Sequence, residues 1–170
     1  MITKNEKGEY ALFDAGQLIG FAPVKYIGGV RVIATMYDKI TAMQDAAQKV
    51  GIHLTLAAGL RTWEEQVFLR MQNVIDKTKA QDLKYLATAT SDKFNPRTGK
   101  PGYSNHQDGQ AYDFNVTHFP LVYAWLVKNA LRFGFIRTVP SERWHWEYLP
   151  LVKDQFAYVK KSNPTWDGLV

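Results

Sequence analysis

Ser104-Asn105-His106-Gln107-Asp108-Gly109-Gln110-Ala111-Tyr112-Asp113 is the stretch on which the reading of this chain turns. It sets a histidine and an aspartate seven residues apart in a segment that reads as a loop running into a strand. From Gln110 to Val116 the pattern alternates, so Tyr112, Phe114 and Val116 share one face and Ala111, Asp113 and Asn115 the other. The first face is core. The second carries Asp113, a residue type that strands disfavour, with the small Ala111 leaving space beside it. Gly109 permits a close approach between the His106 loop and the strand.

Working outward, the next informative cluster is Glu142-Arg143-Trp144-His145, whose histidine lies thirty-two residues beyond Asp113. Two histidines and one carboxylate are a standard three-ligand set for a catalytic zinc, with a fourth position left for water. A carboxylate just before the last ligand is where a general base for that water can sit. Geometry sets a condition. Glu142 and His145 differ by three and face opposite sides of a flat strand. They converge only if the strand begins at about Trp144 and Glu142 sits in the preceding turn, which Pro140-Ser141 favours. The chain has no cysteine, so disulfides and thiolate metal sites are excluded and any metal is held by His and carboxylates.

A length of 170 residues favours one domain with a core of its own. Apolar content of 46% and charged content of 22% are those of an ordinary globular protein. The N-terminal residues from Met1 to Gly8 lack the apolar core of a signal peptide, and no apolar run approaches a membrane span. The expectation is synthesis in the cytoplasm with any exit by another route. Net charge is +5 and the isoelectric point about 9.3, which suits a polyanionic partner; plain colloidal solubility accounts for the charge equally well.

Repeats and low-complexity tracts are absent. Val24-Lys25-Tyr26-Ile27 and Val30-Arg31-Val32-Ile33 flank Gly28-Gly29 and predict a hairpin. Thr35 is placed as the cap of a helix carrying Ile40, Met43, Ala46, Ala47 and Val50 on one face and ended by Gly51. A strand is expected over 53–58. Thr62 and Glu65 form a capping box that opens a helix through about Ile75, with Val67, Leu69, Met71 and Val74 among its apolar residues. Residues 88–103 read as a loop. Pro120 starts a helix that runs to Arg132 and stops at Gly134. Strands are expected over 135–139 and 144–149. The class is therefore α+β, a small antiparallel sheet with helices packed on one side.

At this point the residues resemble a known family. Ser104-x-His106-x-x-Gly109-x-Ala111-x-Asp113 and Glu142-x-Trp144-His145 are similar to the two signatures of the D-Ala-D-Ala carboxypeptidase and dipeptidase family of zinc peptidases. That family includes phage L-alanyl-D-glutamate endopeptidases and shares its fold with the hedgehog signalling domain. Ala58-Gly59-Leu60-Arg61-Thr62 with Gln66 resembles an upstream element of the family, with Leu60 in place of its usual tyrosine. The resemblance covers roughly residues 35–150. It implies one zinc on His106, Asp113 and His145, Glu142 as base, Arg61 facing the oxyanion, Ser104 bonding the substrate backbone and Gln66 orienting the site. Trp144, Trp146 and Tyr148 read first as core or cleft wall, with Trp144 the candidate substrate contact. His53 and His118 lie outside the motifs and read as structural.

The organisation expected is an N-terminal extension over 1–34 packed on the same domain, a zinc peptidase domain over 35–160 and a polar tail over 161–170. The leading functional expectation is a monomeric peptidoglycan peptidase cutting within the stem peptide. An L-alanyl-D-glutamate endopeptidase of the endolysin type comes first and a D-Ala-D-Ala carboxypeptidase or dipeptidase second. No nucleic acid and no membrane insertion are expected. A non-catalytic zinc module, as in hedgehog-type relatives, is disfavoured because a structural zinc needs neither Glu142 nor Arg61.

Overall fold

The structure, a computed structural model, describes residues 2–72, 74–94 and 98–149. The expected tail over 161–170 and the end of the expected peptidase domain lie outside the described residues. Two hairpins come first. In one, β1 (Tyr10–Asp14) pairs antiparallel with β2 (Gln17–Ala22); in the other, β3 (Val24–Ile27) pairs with β4 (Val30–Ile33). Gly28 and Gly29 turn the second hairpin at φ of 56° and 82°, the positive pair that a tight two-residue connection requires. Helix α1 (Ala34–Gln48) follows, then β5 (Leu56–Ala58), α2 (Trp63–Arg70), α3 (Leu83–Thr90), β6 (Ala111–Phe114), α4 (Pro120–Asn129), β7 (Phe135–Ile136) and β8 (His145–Tyr148).

The last four strands form one antiparallel sheet in the order β5-β6-β8-β7. One face is apolar. Tyr112 and Phe114 of β6 and Trp146 of β8 meet Met36, Ile40 and Met43 of α1 and Val122 and Leu126 of α4 in a single cluster. This is the expected α+β arrangement, with the helices on the face that alternation assigned to the core. Ile40 and Leu126 are fully buried, and truncating such a residue to alanine costs about 2–5 kcal/mol. A second cluster joins Ala11 and Phe13 of β1 to Trp63 and Val67 of α2 and Ala89 of α3.

The capping box at α2 is present in both directions: the Thr62 hydroxyl accepts from Glu65 N–H and the Glu65 carboxylate from Thr62 N–H. Elsewhere the local signals mislead. The N-cap of α1 is Ile33 rather than Thr35, and no side chain caps that end; the Ala34 N–H instead donates to the Pro23 carbonyl at 2.8 Å, a partner delivered by the preceding hairpin. Val50 lies past the end of α1 and is 65% exposed. Helix α2 stops at Arg70, short of Ile75, leaving Val74 exposed. The expected loop over 88–103 begins inside α3. Strand β5 is shorter than the expected 53–58, and side chains meet the backbone groups ahead of it. The Thr55 N–H donates to Asn115 Oδ1 at 2.8 Å, and Gln44 Nε2 donates to the Leu54 carbonyl at 3.0 Å. His53 and His118, read as structural, are both exposed. Among the described residues no helix is long and apolar enough to cross a membrane.

Candidate metal centre

The face of the sheet opposite the core carries the chemistry. Asp113 on β6 stands directly across from His145 on β8, and Ala111 across from Glu147. The alternation that buries Tyr112 and Trp146 against the helices therefore turns Asp113, His145 and Glu147 together to the other side. His106 arrives from the loop before β6. Gly109, at φ of 82°, lets that loop return to the strand, and a Cβ there would lie 2.7 Å from the Ile33 side chain.

Three side chains converge. Asp113 Oδ1 lies 3.3 Å from His106 Nε2 and 3.2 Å from His145 Nδ1. One ligand atom from each residue falls within 4.8 Å of the others. Two donors about 2.0–2.1 Å from a tetrahedral ion stand roughly 3.3 Å apart, so both measured edges fit one zinc ion. Each imidazole is oriented from behind. His106 Nδ1 is 3.0 Å from the Gly59 carbonyl, which accepts its N–H and leaves Nε2 turned toward Asp113. His145 is reversed. Its Nε2 is 2.9 Å from Glu147 Oε1, leaving Nδ1 as the donor atom toward the site. The same glutamate oxygen accepts the Thr138 hydroxyl at 2.6 Å.

The electrostatics follow from the contacts. Burial pushes the Asp113 carboxyl up, but hydrogen bonds from His106 and His145 outweigh it and hold the group well below the usual carboxylate range. Burial disfavours the charged form of His145, yet its bonds to Asp113 and Glu147 prevail and raise it to about 9. A proton thus sits where a cation belongs. Divalent zinc replaces it with more charge at the same position.

Glu142 lies in the turn before β8, as convergence required; the His145 N–H donates to its carbonyl at 3.2 Å. Its half-exposed carboxylate reaches to 3.9 Å from His145 Nδ1. Arg61 follows β5. Its N–H donates to the His106 carbonyl at 2.9 Å, and its Nη1 donates to Gln66 Oε1 at 2.8 Å. The Gln66 Nε2 donates in turn to the Gly99 carbonyl at 2.8 Å, so this fully buried amide ties the arginine to the loop before Ser104. Burial lowers the Arg61 guanidinium from its ordinary value, while Asp113, Glu65 and Glu142 oppose that shift; it stays charged at any working pH. Ser104 Oγ accepts the His106 N–H at 3.4 Å, a long bond that shapes the loop. Trp144 is 38% exposed beside the ligand strand, whereas Trp146 is buried in the core.

Over residues 30–151 the chain matches the family described as VanY, D-alanyl-D-alanine carboxypeptidase. It belongs to that family. The hairpin of β1 and β2 lies before the VanY match. It is nonetheless stitched to the metal loop: the Phe13 N–H donates to the Gln107 carbonyl and the Gly16 N–H to the Gly102 carbonyl, both at 2.9 Å. A D-alanyl-D-alanine carboxypeptidase of Enterococcus faecalis (strain ATCC 700802 / V583) is 31% identical over 137 residues, 71% of this chain and 49% of the relative. The chain thus spans about half the length of that curated relative.

Two solved VanY structures superpose at a TM-score of 0.55 with 26% identity. One is VanYB in complex with D-alanine-D-alanine, covering 81% of this chain and 84% of that one. The other is a vancomycin-resistance D,D-pentapeptidase VanY variant in complex with Zn(II), covering 86% of each chain. The LD-carboxypeptidase LdcB, at 20% identity and a TM-score of 0.53, shares the fold. Zinc is thus carried by a VanY relative, and the donor set of this chain fits it.

Sequence reasoning did not single out Glu147 or Thr138. Glu147 stands two residues past His145, which places both on one strand face. That was the available signal: an acidic residue one strand period past a motif histidine.

Proposed function

We propose that this chain is a zinc-dependent peptidase of the peptidoglycan stem peptide, acting as a D-alanyl-D-alanine carboxypeptidase. The observation that carries the reading is the half-exposed Glu142 carboxylate 3.9 Å from the ligating nitrogen of His145, with the charged Arg61 held on the same site by Gln66. A site built only to hold a structural ion needs neither. The VanY match and the carboxypeptidase relative support the substrate class.

His106, Asp113 and His145 would hold the ion. When bound, zinc supplies Lewis acidity and lowers the pKa of water toward about 7. Glu142 takes the proton of the attacking water and passes it to the leaving amine as the carbonyl carbon–nitrogen bond breaks and a carbon–oxygen bond forms. Its half-exposed position lets it reach both. Arg61 offsets the charge that develops on the carbonyl oxygen, where a fixed cation is most effective. Its tie to Gln66 means no reorganisation is needed at that moment. Trp144 supplies exposed apolar surface beside the ligand strand for the substrate to lie against.

The test is mass spectrometry of muropeptides after digestion of purified sacculi, with L-Ala-D-Glu and D-Ala-D-Ala model peptides alongside. Release of free D-Ala as the main product is expected. New termini between L-Ala and D-Glu would move the assignment to the endopeptidase reading. Intact stem peptides with zinc bound would leave only a non-catalytic zinc module.

A further inference from the structure

The polar face of the sheet holds one buried carboxylate that the proposed chemistry does not use. Glu147 leaves the same face of β8 as His145, and its side chain is 7% exposed. Oε1 lies 2.9 Å from His145 Nε2 and 2.6 Å from the Thr138 hydroxyl, which comes from the segment just after β7. Directly across the ladder stands Ala111, fully buried and too small to offer a partner. A carboxylate buried this deeply is costly unless its oxygens are satisfied. Its position two residues from a candidate ligand is therefore a feature to explain.

The two imidazoles of the site differ in what holds them. His106 presents Nε2 and rests on a neutral carbonyl at Gly59. His145 presents Nδ1 and rests on an anion. Nδ1 ligation places the ring edge close to the strand backbone, and a flip of the ring would put the carbon Cδ2 where Nδ1 faces Asp113 and the carbon Cε1 where Nε2 faces Glu147. A charged acceptor at Nε2 makes the observed orientation the favoured one. It also makes the ring a better donor at Nδ1. Charge balance points the same way. A divalent ion on two neutral imidazoles and Asp113 leaves one positive charge in a mostly buried site, and Glu147 is the nearest buried anion behind it.

We propose that Glu147, held by Thr138, is a positioning residue of the metal centre: it locks His145 with Nδ1 toward Asp113 and thereby sets how tightly the site holds zinc. The proposal rests on the zinc-peptidase reading but is read out without catalysis. The rival account is a buried ion pair that only braces β8. That account expects lower stability and an unchanged affinity for metal.

The experiment is zinc affinity by chelator competition on the full chain. It compares wild type with Glu147→Gln, Glu147→Ala and Thr138→Val, alongside the visible absorption spectrum of each Co(II)-loaded form. Loss of an outer-shell partner typically weakens metal binding about 10- to 100-fold. That loss is expected for Glu147→Gln and Glu147→Ala, with a smaller loss for Thr138→Val and a shift of the Co(II) bands in the Glu147 variants. If Glu147→Ala fails to fold, Glu147→Gln and Thr138→Val carry the test, since both keep side-chain volume. Variants that bind zinc within twofold of wild type with unchanged Co(II) spectra overturn the proposal. A wild-type chain that binds no zinc at all overturns instead the metal-centre reading on which it rests.

Discussion

Asp113 and His145 are register partners: they face each other across the β6–β8 ladder, with Oδ1 and Nδ1 3.2 Å apart. This pairing makes metal binding a proton exchange. At neutral pH the His145 ring, raised to about 9, holds a proton between Asp113 and Glu147. Zinc requires its Nδ1 lone pair. Zinc binding at pH 7 is therefore expected to release about one proton per ion, measured by calorimetry in buffers of different ionisation enthalpy. Zinc affinity should climb with pH until about 9. A proton count of zero at pH 7 would contradict the pairing.

The same groups contribute to the pH dependence of the metal-free protein. His145 is raised above its ordinary 6.5, so its contribution is complete below that value and is lost as pH rises through about 9. Asp113 and Glu147 are lowered, so their contributions are present above the ordinary carboxylate range and are lost on acidification. Denaturant midpoints of the metal-free protein should decline as pH rises from about 7 toward 9. The zinc-loaded protein should show no decline over that alkaline range.

Removing the base should separate chemistry from architecture. Glu142→Ala is expected to keep the fold and the zinc while losing on the order of a hundredfold or more in turnover. His106→Ala should lose the metal as well, because Nε2 of that ring faces the ion position. Near-normal turnover by Glu142→Ala in a stem-peptide assay would remove the proposed mechanism.

Arg61→Ala should lower kcat by roughly 10²–10³-fold, the usual effect of deleting an oxyanion partner. Arg61→Lys should restore little, because a point charge cannot hold the planar geometry that Gln66 Oε1 now fixes. Gln66→Leu should lower kcat/KM less than Arg61→Ala, since it frees the guanidinium without removing it. Equal rates for all three variants and wild type would place Arg61 outside the reaction.

Gly59 carries the carbonyl that orients His106, and a Cβ on it would lie 2.3 Å from the Arg31 carbonyl oxygen. Backbone must move to accommodate it, at roughly 1–3 kcal/mol for overpacking. Gly59→Ala is therefore expected to lower the unfolding midpoint and to weaken zinc binding together. Loss of stability with metal affinity intact would show that the carbonyl does not set the ring.

Period and spacing were enough to place Asp113 on the face opposite Tyr112 and Phe114, to open α2 at Thr62 and Glu65, and to put Glu142 in a turn before a strand at His145. These are short-range matters, decided by alternation and by residues three apart. The family signatures likewise named His106, Asp113 and His145 from the chain alone. What the chain could not announce was anything decided by a partner distant in sequence. Which nitrogen of each histidine faces the ion depends on Gly59, 47 residues before His106, and on the strand face that Glu147 shares with His145. The start of α1 at Ile33 depends on a carbonyl from Pro23 rather than on a capping side chain. Helix α3, short and with no side-chain cap at its start, is held by Ala89 in the second core cluster. Each of these rests on a hydrogen bond or contact that exists only once the chain has closed on itself, and so only the tertiary structure could decide it.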